Sequence, residues 1–294
     1  MLERGWLSSN NVLVVGSTHA ALIDTGYVTH APQTVELVRS ELGTRRLDLI
    51  VNSHLHSDHC GGNAALKAAF PDSRIFIPPG QADAVRTWDV VGLTFEPTGQ
   101  QCARFDFDGL LAPGQTIQLG DWQWQVHAAR GHDPHSVVFF EPKHRVLVSA
   151  DALWENGFGV VFPELDDLDG FDDVASTLNL IEALDPAWVI PGHGAAFSDV
   201  AGALVKARSR LRQFSDRPDK HRRHALKVLV KFKLLEWQQI SFQELSDWFT
   251  RSDYFVRIVR KDDERQLPLV LGQLLKELEV AGAAVLDGDL IRNG

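Results

Sequence analysis

The segment Ser53-His54-Leu55-His56-Ser57-Asp58-His59-Cys60-Gly61-Gly62 carries four potential metal ligands within six residues. It follows an apolar run at residues 47–51 that has the length of a β-strand. Histidines two apart in an extended chain point the same way, so His54 and His56 can converge on one cation. Asp58 and His59 come next, at a turn, and can face a second position. A lone histidine is usually a packed or solvated residue, but four ligands in six positions are not explained by packing. A metal pair needs donors from elsewhere, and three stand where apolar, strand-like runs end. They are His132 in Arg130-Gly131-His132-Asp133-Pro134, Asp151 after residues 146–150, and His193 in Pro191-Gly192-His193-Gly194. Two cations about 3.5–4 Å apart share a water, lower its pKa toward neutrality and polarise a substrate's electrophilic oxygen. That pairing suits hydrolysis of an ester, thioester, amide, lactone or phosphodiester.

These residues need strands whose ends meet. Residues 11–15 and 20–23 read as two strands around Gly16-Ser17, the second ending at Asp24-Thr25-Gly26. Helical spacing covers residues 33–42 and stops at Gly43. A short helix at 64–70 is ended by Pro71, a strand follows at 74–77, and residues 78–115 are less regular. From residue 116 the pattern is β: 116–119 and 122–126 flank Gly120-Asp121, a two-residue hairpin turn. A second hairpin joins 137–140 to 146–149. An amphipathic helix is expected over 171–183, a strand at 188–190 and a long helix over 199–215. Beyond it come a helix at 221–236, a short helix through 249 opened by the capping box of Ser241 and Glu244, and a third helix at 267–281. A hairpin across Asp287-Gly288 closes the chain. Three helices and a hairpin are the layout of a winged helix.

A chain of 294 residues suits one large domain with a smaller appendage. Residues 1–204 hold 11 Lys and Arg against 26 Asp and Glu, a net of −15, whereas residues 205–294 hold 18 against 13, a net of +5. The shift divides the chain into a catalytic domain at 1–204 and a helical, winged-helix-like domain at 205–294. The acidic part repels nucleic acid and anionic membrane unless bound cations offset its charge. No apolar run approaches ~18 residues, which excludes a transmembrane helix, and no secretory signal is visible. Two cysteines, Cys60 and Cys102, exclude a disulfide scaffold and make the cytoplasm the default location. Twelve histidines against two tyrosines agree with metal chemistry.

The ordered set His54-Leu55-His56-Ser57-Asp58-His59, Gly131-His132, Ala150-Asp151 and Pro191-Gly192-His193-Gly194 resembles the metallo-β-lactamase superfamily over roughly residues 10–200. The resemblance implies an α+β fold, an αββα sandwich with the metal site on one edge of its two sheets. It implies that His54, His56 and His132 hold one metal, that Asp58, His59 and His193 hold the other, and that Asp151 bridges the two. Asp24 matches the strand-end aspartate that supports the ligand loop from behind. Five histidines and two carboxylates suit two divalent ions, zinc first, with manganese or iron compatible. Asp58 is then the candidate catalytic residue, orienting the nucleophile or returning a proton to the leaving group.

Some positions depart from the family pattern. Gly131-His132-Asp133-Pro134-His135 stands where many relatives have Gly-His-Thr-x-Gly-His, which makes His135 an extra histidine with a supporting or substrate-contacting role. Trp154 lies three residues after Asp151, where quorum-lactone hydrolases carry a tyrosine. Cys60 reads as a buried structural thiol. The C-terminal layout most resembles lactamase-like hydrolases with a winged helix, some of them endoribonucleases, and Lys220-His221-Arg222-Arg223 matches that subgroup's basic stretch. The expected activity is hydrolysis of a small-molecule ester or thioester, with an endoribonuclease or phosphodiesterase as the alternative. A glyoxalase-II-like thioesterase, a mono-iron persulfide dioxygenase and a winged-helix regulator are weaker readings. The regulator suffers because residues 267–281 hold Lys276 as their only basic side chain, which suits a major groove poorly. The expected partners are a small-molecule substrate, RNA in the alternative, and a second copy of the chain if the C-terminal domain dimerises. No membrane partner is expected.

Overall fold

Short apolar strands with alternating faces build the first sheet. The computed structural model describes residues 1–259 and 267–294. Strands β1 (Val12–Val15), β2 (Ala20–Ile23), β3 (Leu49–Val51), β4 (Arg74–Ile77) and β5 (Gly109–Leu110) pair in that order. β1 is antiparallel to β2, and the other neighbours are parallel. Parallel neighbours need crossovers. Helix α1 (Ala31–Leu42) supplies the one between β2 and β3; α2 (Ser57–Cys60) and α3 (Asn63–Ala69) supply the next. Ala20, Leu22, Ile50, Ile75 and Ile77 pack with Val35, Val38 and Leu42 of α1 and Leu66 of α3. The residues between them, Ala21, Ile23, Leu49 and Val51, turn to the opposite face. That is the period-two alternation of a sheet buried on both sides.

The second sheet runs β10-β9-β8-β7-β6. Its strands are β6 (Thr116–Leu119), β7 (Trp122–Ala128), β8 (Val137–Glu141), β9 (Val146–Ala150) and β10 (Trp188–Pro191). Leu119 pairs with Trp122 across the expected Gly120-Asp121 turn. Leu119, Trp124, Val126, Val137, Phe139 and Val148 meet the inner face of the first sheet, so the core lies between the sheets. β9 and β10 are parallel and are joined through α5 (Gly170–Leu184), which buries Val174, Leu178 and Ile181. The αββα layering is as expected. Within residues 78–115 the structure adds α4 (Ala82–Thr87) and β5, elements too short to leave a periodic signal.

The chain divides into two compact units, Met1–Phe95 with Gln101–Arg212, and Glu96–Gln100 with Gln213–Gly294. The expected boundary at 204/205 and the division at Arg212/Gln213 both lie within α6 (Val200–Asp216). The second unit contains α7 (Pro218–Trp237), β11 (Gln239–Ser241), α8 (Phe242–Arg251), α9 (Asp253–Val259), α10 (Leu267–Val280), β12 (Ala284–Asp287) and β13 (Leu290–Asn293). The capping box at Ser241 and Glu244 opens α8 as expected. β11 and α9 are additions: β11 joins the hairpin as a third, antiparallel strand beside β13. Among the described residues no helix is long and apolar enough to cross a membrane.

Phe139 is fully buried between the sheets. Replacing Phe139 by Ala is expected to remove about 3–5 kcal/mol of stability through lost burial and a cavity. Urea denaturation should show a lower midpoint with an unchanged slope.

Candidate metal centre

β2, β3, β7, β9 and β10 all end at residues that carry the candidate ligands or their support. β7 and β9 are both antiparallel to β8, and β10 is parallel to β9, so the C-terminal ends of these three strands share one edge of the second sheet. The amide of Val137 donates to the Ser53 carbonyl at 2.8 Å and ties that edge to the loop after β3. Asp24 and Ala150 leave their strands with left-handed backbone, φ 57° and 45°. Such a conformation costs a residue with a side chain about 1–3 kcal/mol. Gly192 has no such strain, but a Cβ there would collide with the Asp151 carboxylate. A glycine is required before His193 for that reason.

Three nitrogens converge at the first position. His56 Nδ1 lies 3.1 Å from His54 Nε2 and 2.8 Å from His132 Nε2. Asp58, His59 and His193 form a second set with converging donor atoms, and His54, His59 and Asp151 form a third that links the two. His193 Nε2 lies 3.2 Å from Asp58 Oδ2. Asp151 stands between the groups, with Oδ2 3.3 Å from His132 Nε2 and Oδ1 3.5 Å from His59 Nε2 and 3.8 Å from His193 Nε2. His59 Nε2 is buried and makes no hydrogen bond. Imidazole lone pairs this close to one another, together with an orphaned ring nitrogen facing carboxylates, fit a cation better than they fit one another.

Hydrogen bonds behind the cluster orient these rings. Asp24 Oδ1 accepts from the Ser53 amide at 2.8 Å, and its Oδ2 lies 2.7 Å from both Ser53 Oγ and His59 Nδ1. His132 Nδ1 donates to the Val160 carbonyl at 2.6 Å, which leaves Nε2 to face the cluster. Such outer partners fix the tautomer and angle of a ligand. Burial pushes His54 well below the ordinary imidazole value, and the neighbouring histidines push it further. Burial, then His132, lowers His56 to about 4. Burial opposes the charge on His59, but Asp151, Asp24 and Asp58 together raise it well above the usual range. For Asp151 burial also opposes ionisation, and His59, His193 and His132 nevertheless hold it well below the carboxylate range. Asp58 is lowered in the same way, against burial, by His59 and His193.

The remaining expected residues divide. Trp154 reaches the cluster: its indole N–H donates to Asp151 Oδ1 at 3.2 Å. His135 packs its ring against Gly80 and donates its amide to Asp133 Oδ1 at 2.8 Å. Cys60 is buried, 3.9 Å from the Cys102 sulfur, and is in none of the donor sets found among the described residues. Several residues near the site had no assigned role. Asp133 Oδ2 lies 3.8 Å from His56 Nε2, and Phe162 meets the rings of His56 and His132 edge-on. Trp6 stacks on His193. Asp133 was legible, since it adjoins His132; Trp6 and Phe162 carry no local signal. In the second unit Arg223 and Lys227 both pair with Glu277, and Lys231 donates to Asn293 and to the Ala283 and Gly294 carbonyls.

Residues 4–193 match the profile of the Metallo-beta-lactamase superfamily. The chain belongs to that superfamily. Three groups of His and Asp donors that could hold a metal ion stand together here. The chain is 28% identical over 151 residues to a hydroxyacylglutathione hydrolase of Bdellovibrio bacteriovorus, a match covering 51% of this chain and 50% of that protein. It therefore spans about half the length of that relative. It is 27% identical over 228 residues to the mitochondrial persulfide dioxygenase ETHE1 of Bos taurus, covering 77% of each. It is 26% identical over 220 residues to the acyl-coenzyme A thioesterase MBLAC2 of Homo sapiens, covering 65% of this chain and 76% of that one. Among solved structures, a metallo-beta-lactamase family protein from Thermus thermophilus, TTHA1429, shares the fold. That match has TM-score 0.56 at 20% identity and covers 97% of this chain and 94% of the other.

The raised His59 gives a sign for metal uptake. Without metal, His59 holds its proton through neutrality, so a cation must displace it, and apparent affinity should rise as pH rises. Calorimetric zinc titrations in buffers of different ionisation enthalpy should report release of about one proton from this imidazole near pH 7.

Proposed function

We propose that the chain is a metal-dependent hydrolase of a small-molecule ester or thioester. The observation that carries this reading is the Asp151 carboxylate, whose two oxygens face different histidine groups at 3.3 Å and 3.5 Å. That disposition supports two cations rather than one. His54, His56 and His132 would hold one, Asp58, His59 and His193 the other, and Asp151 both. Five imidazoles and two carboxylates favour zinc, with manganese or iron compatible. Bound there, the pair supplies an acidified water and a Lewis acid for the substrate carbonyl.

The chain's own residues do the rest. Asp58, held ionised by His59 and His193, accepts a hydrogen bond from the attacking water and aims it. Trp154 fixes the Asp151 carboxylate from the side. Trp6, Trp154 and Phe162 put aromatic surface around the cluster, which suits an apolar acyl group. The thioester part of the reading draws support from the hydroxyacylglutathione hydrolase and acyl-coenzyme A thioesterase similarities. The element order of the second unit, with its three-stranded sheet, supports reading it as a winged helix. Arg223, Lys227 and Lys231 are engaged inside the unit, which favours a small substrate over RNA.

The second reading is a mono-iron persulfide dioxygenase, favoured by the 228-residue similarity to ETHE1. In it Asp58 and His193 would stay paired at 3.2 Å, outside the metal sphere.

Elemental analysis separates the two, with two zinc ions per chain expected and a single iron with oxygen consumption sinking the hydrolase. Replacing His54 or Asp58 by Ala should lower thioester turnover by about a hundredfold or more while the melting temperature stays near wild type. Chelation should abolish activity and zinc should restore it. Cleavage of single-stranded RNA that falls steeply with salt, in the absence of ester hydrolysis, would replace this reading with the nuclease.

A further inference from the structure

The two halves of the cluster are supported differently. In the first set the rear nitrogens of His54 and His132 have partners, Ser53 Oγ at 3.0 Å and the Val160 carbonyl at 2.6 Å. In the second set His59 leans on Asp24 at 2.7 Å. His193 has no such support: its Nδ1 is buried without a hydrogen-bond partner. Its ring is held by shape. Trp6 lies flat on it, with centroids 5.2 Å apart and planes 8° from parallel, and Trp154 meets it edge-on at 5.5 Å. The two indoles also touch, at 5.4 Å.

The N-terminal stretch that carries Trp6 holds the backbone of the same loop. Asn10 donates from its side chain to the Pro191 carbonyl at 2.9 Å and to the Gly194 carbonyl at 2.7 Å, and from its amide to the Gly192 carbonyl at 2.6 Å. Ser9 donates its amide to the Asp58 carbonyl at 2.9 Å. Residues 6–10 thus meet His193 through one ring and Asp58 through one hydrogen bond, and hold the backbone on either side of His193 through three more.

We infer that residues 6–10 are a positioning brace for the second metal subsite, with Trp6 setting the ring of His193, and that this subsite is the weaker of the two. The inference rests on the dinuclear reading above. When His193 Nε2 takes a cation, the ring proton must sit on Nδ1, where no acceptor waits. A hydrogen bond at that position normally both orients a ligand and strengthens it. Stacking supplies the orientation alone. Trp6 is 56% exposed, so its removal frees the ring without opening the core.

The test is stepwise loading of the chelator-stripped full chain with zinc and with cobalt(II), read by elemental analysis, calorimetry and the visible spectrum of the cobalt protein. Wild type is expected to load in two steps. Trp6→Ala should weaken the second step about tenfold or more and leave the first unchanged, with a changed cobalt spectrum only at the second equivalent. Trp6→Phe, which keeps a stacking ring, should retain most of the second step, and both variants should melt as wild type does. Two wild-type steps with Trp6→Ala unchanged, or with both steps weakened alike, overturn the brace alone. A wild type that loads a single metal overturns the dinuclear reading and the brace with it.

Discussion

The buried carboxylate of Asp24 is the contact on which the site depends. A charged group taken out of water must have its oxygens satisfied, and here the Ser53 amide, the Ser53 hydroxyl and His59 do so. Those bonds bind the end of β2 to the loop after β3. They also set His59 with Nδ1 toward Asp24, so that Nε2 faces the cluster. The left-handed backbone at Asp24 is the cost of turning the side chain into that role. The ion pair is one of geometry more than of stability, since removing either partner would strand the other in a dry interior.

From that pivot the layout of the cluster follows the sheets. The core packed between the two sheets holds their strands together, and each sheet delivers candidate donors from strand ends. The first sheet contributes the residues around β3. The second contributes His132, Asp151 and His193 from three strands that end on one edge. Five imidazoles and two carboxylates then share a small volume in which opposite charges offset one another. Asp58 and Asp151 stay ionised despite burial, and His54 and His56 stay neutral because of it. These are the protonation states in which such groups bind a cation.

Support for the ligands is uneven, and the unevenness tracks where the chain has polar groups to spare. The first histidine group is backed by a hydroxyl and a carbonyl from neighbouring loops. The loop of His193 comes late in the unit, follows a register shift between Ile190 and Pro191, and is clamped by a segment from the start of the same unit. Aromatic stacking takes the place of a hydrogen bond there.

The candidate donors and their local spacing were readable without a structure, because an extended His-x-His points both rings one way. The strands were readable where they alternate or form a tight hairpin, as at Gly120-Asp121. The elements α4, β5 and α9 were not, being short runs of six, two and seven residues without a clear pattern at their ends. The division of the chain into two units was visible in its charge. What only the tertiary structure decided were the partners from distant segments: Trp6 on His193, Asn10 on the loop around it, Val160 behind His132, Asp133 beside His56, and the pairing of Arg223 and Lys227 with Glu277. Each of these contacts is set by how packed layers bring remote residues together, and nothing in the local run of side chains encodes that distance.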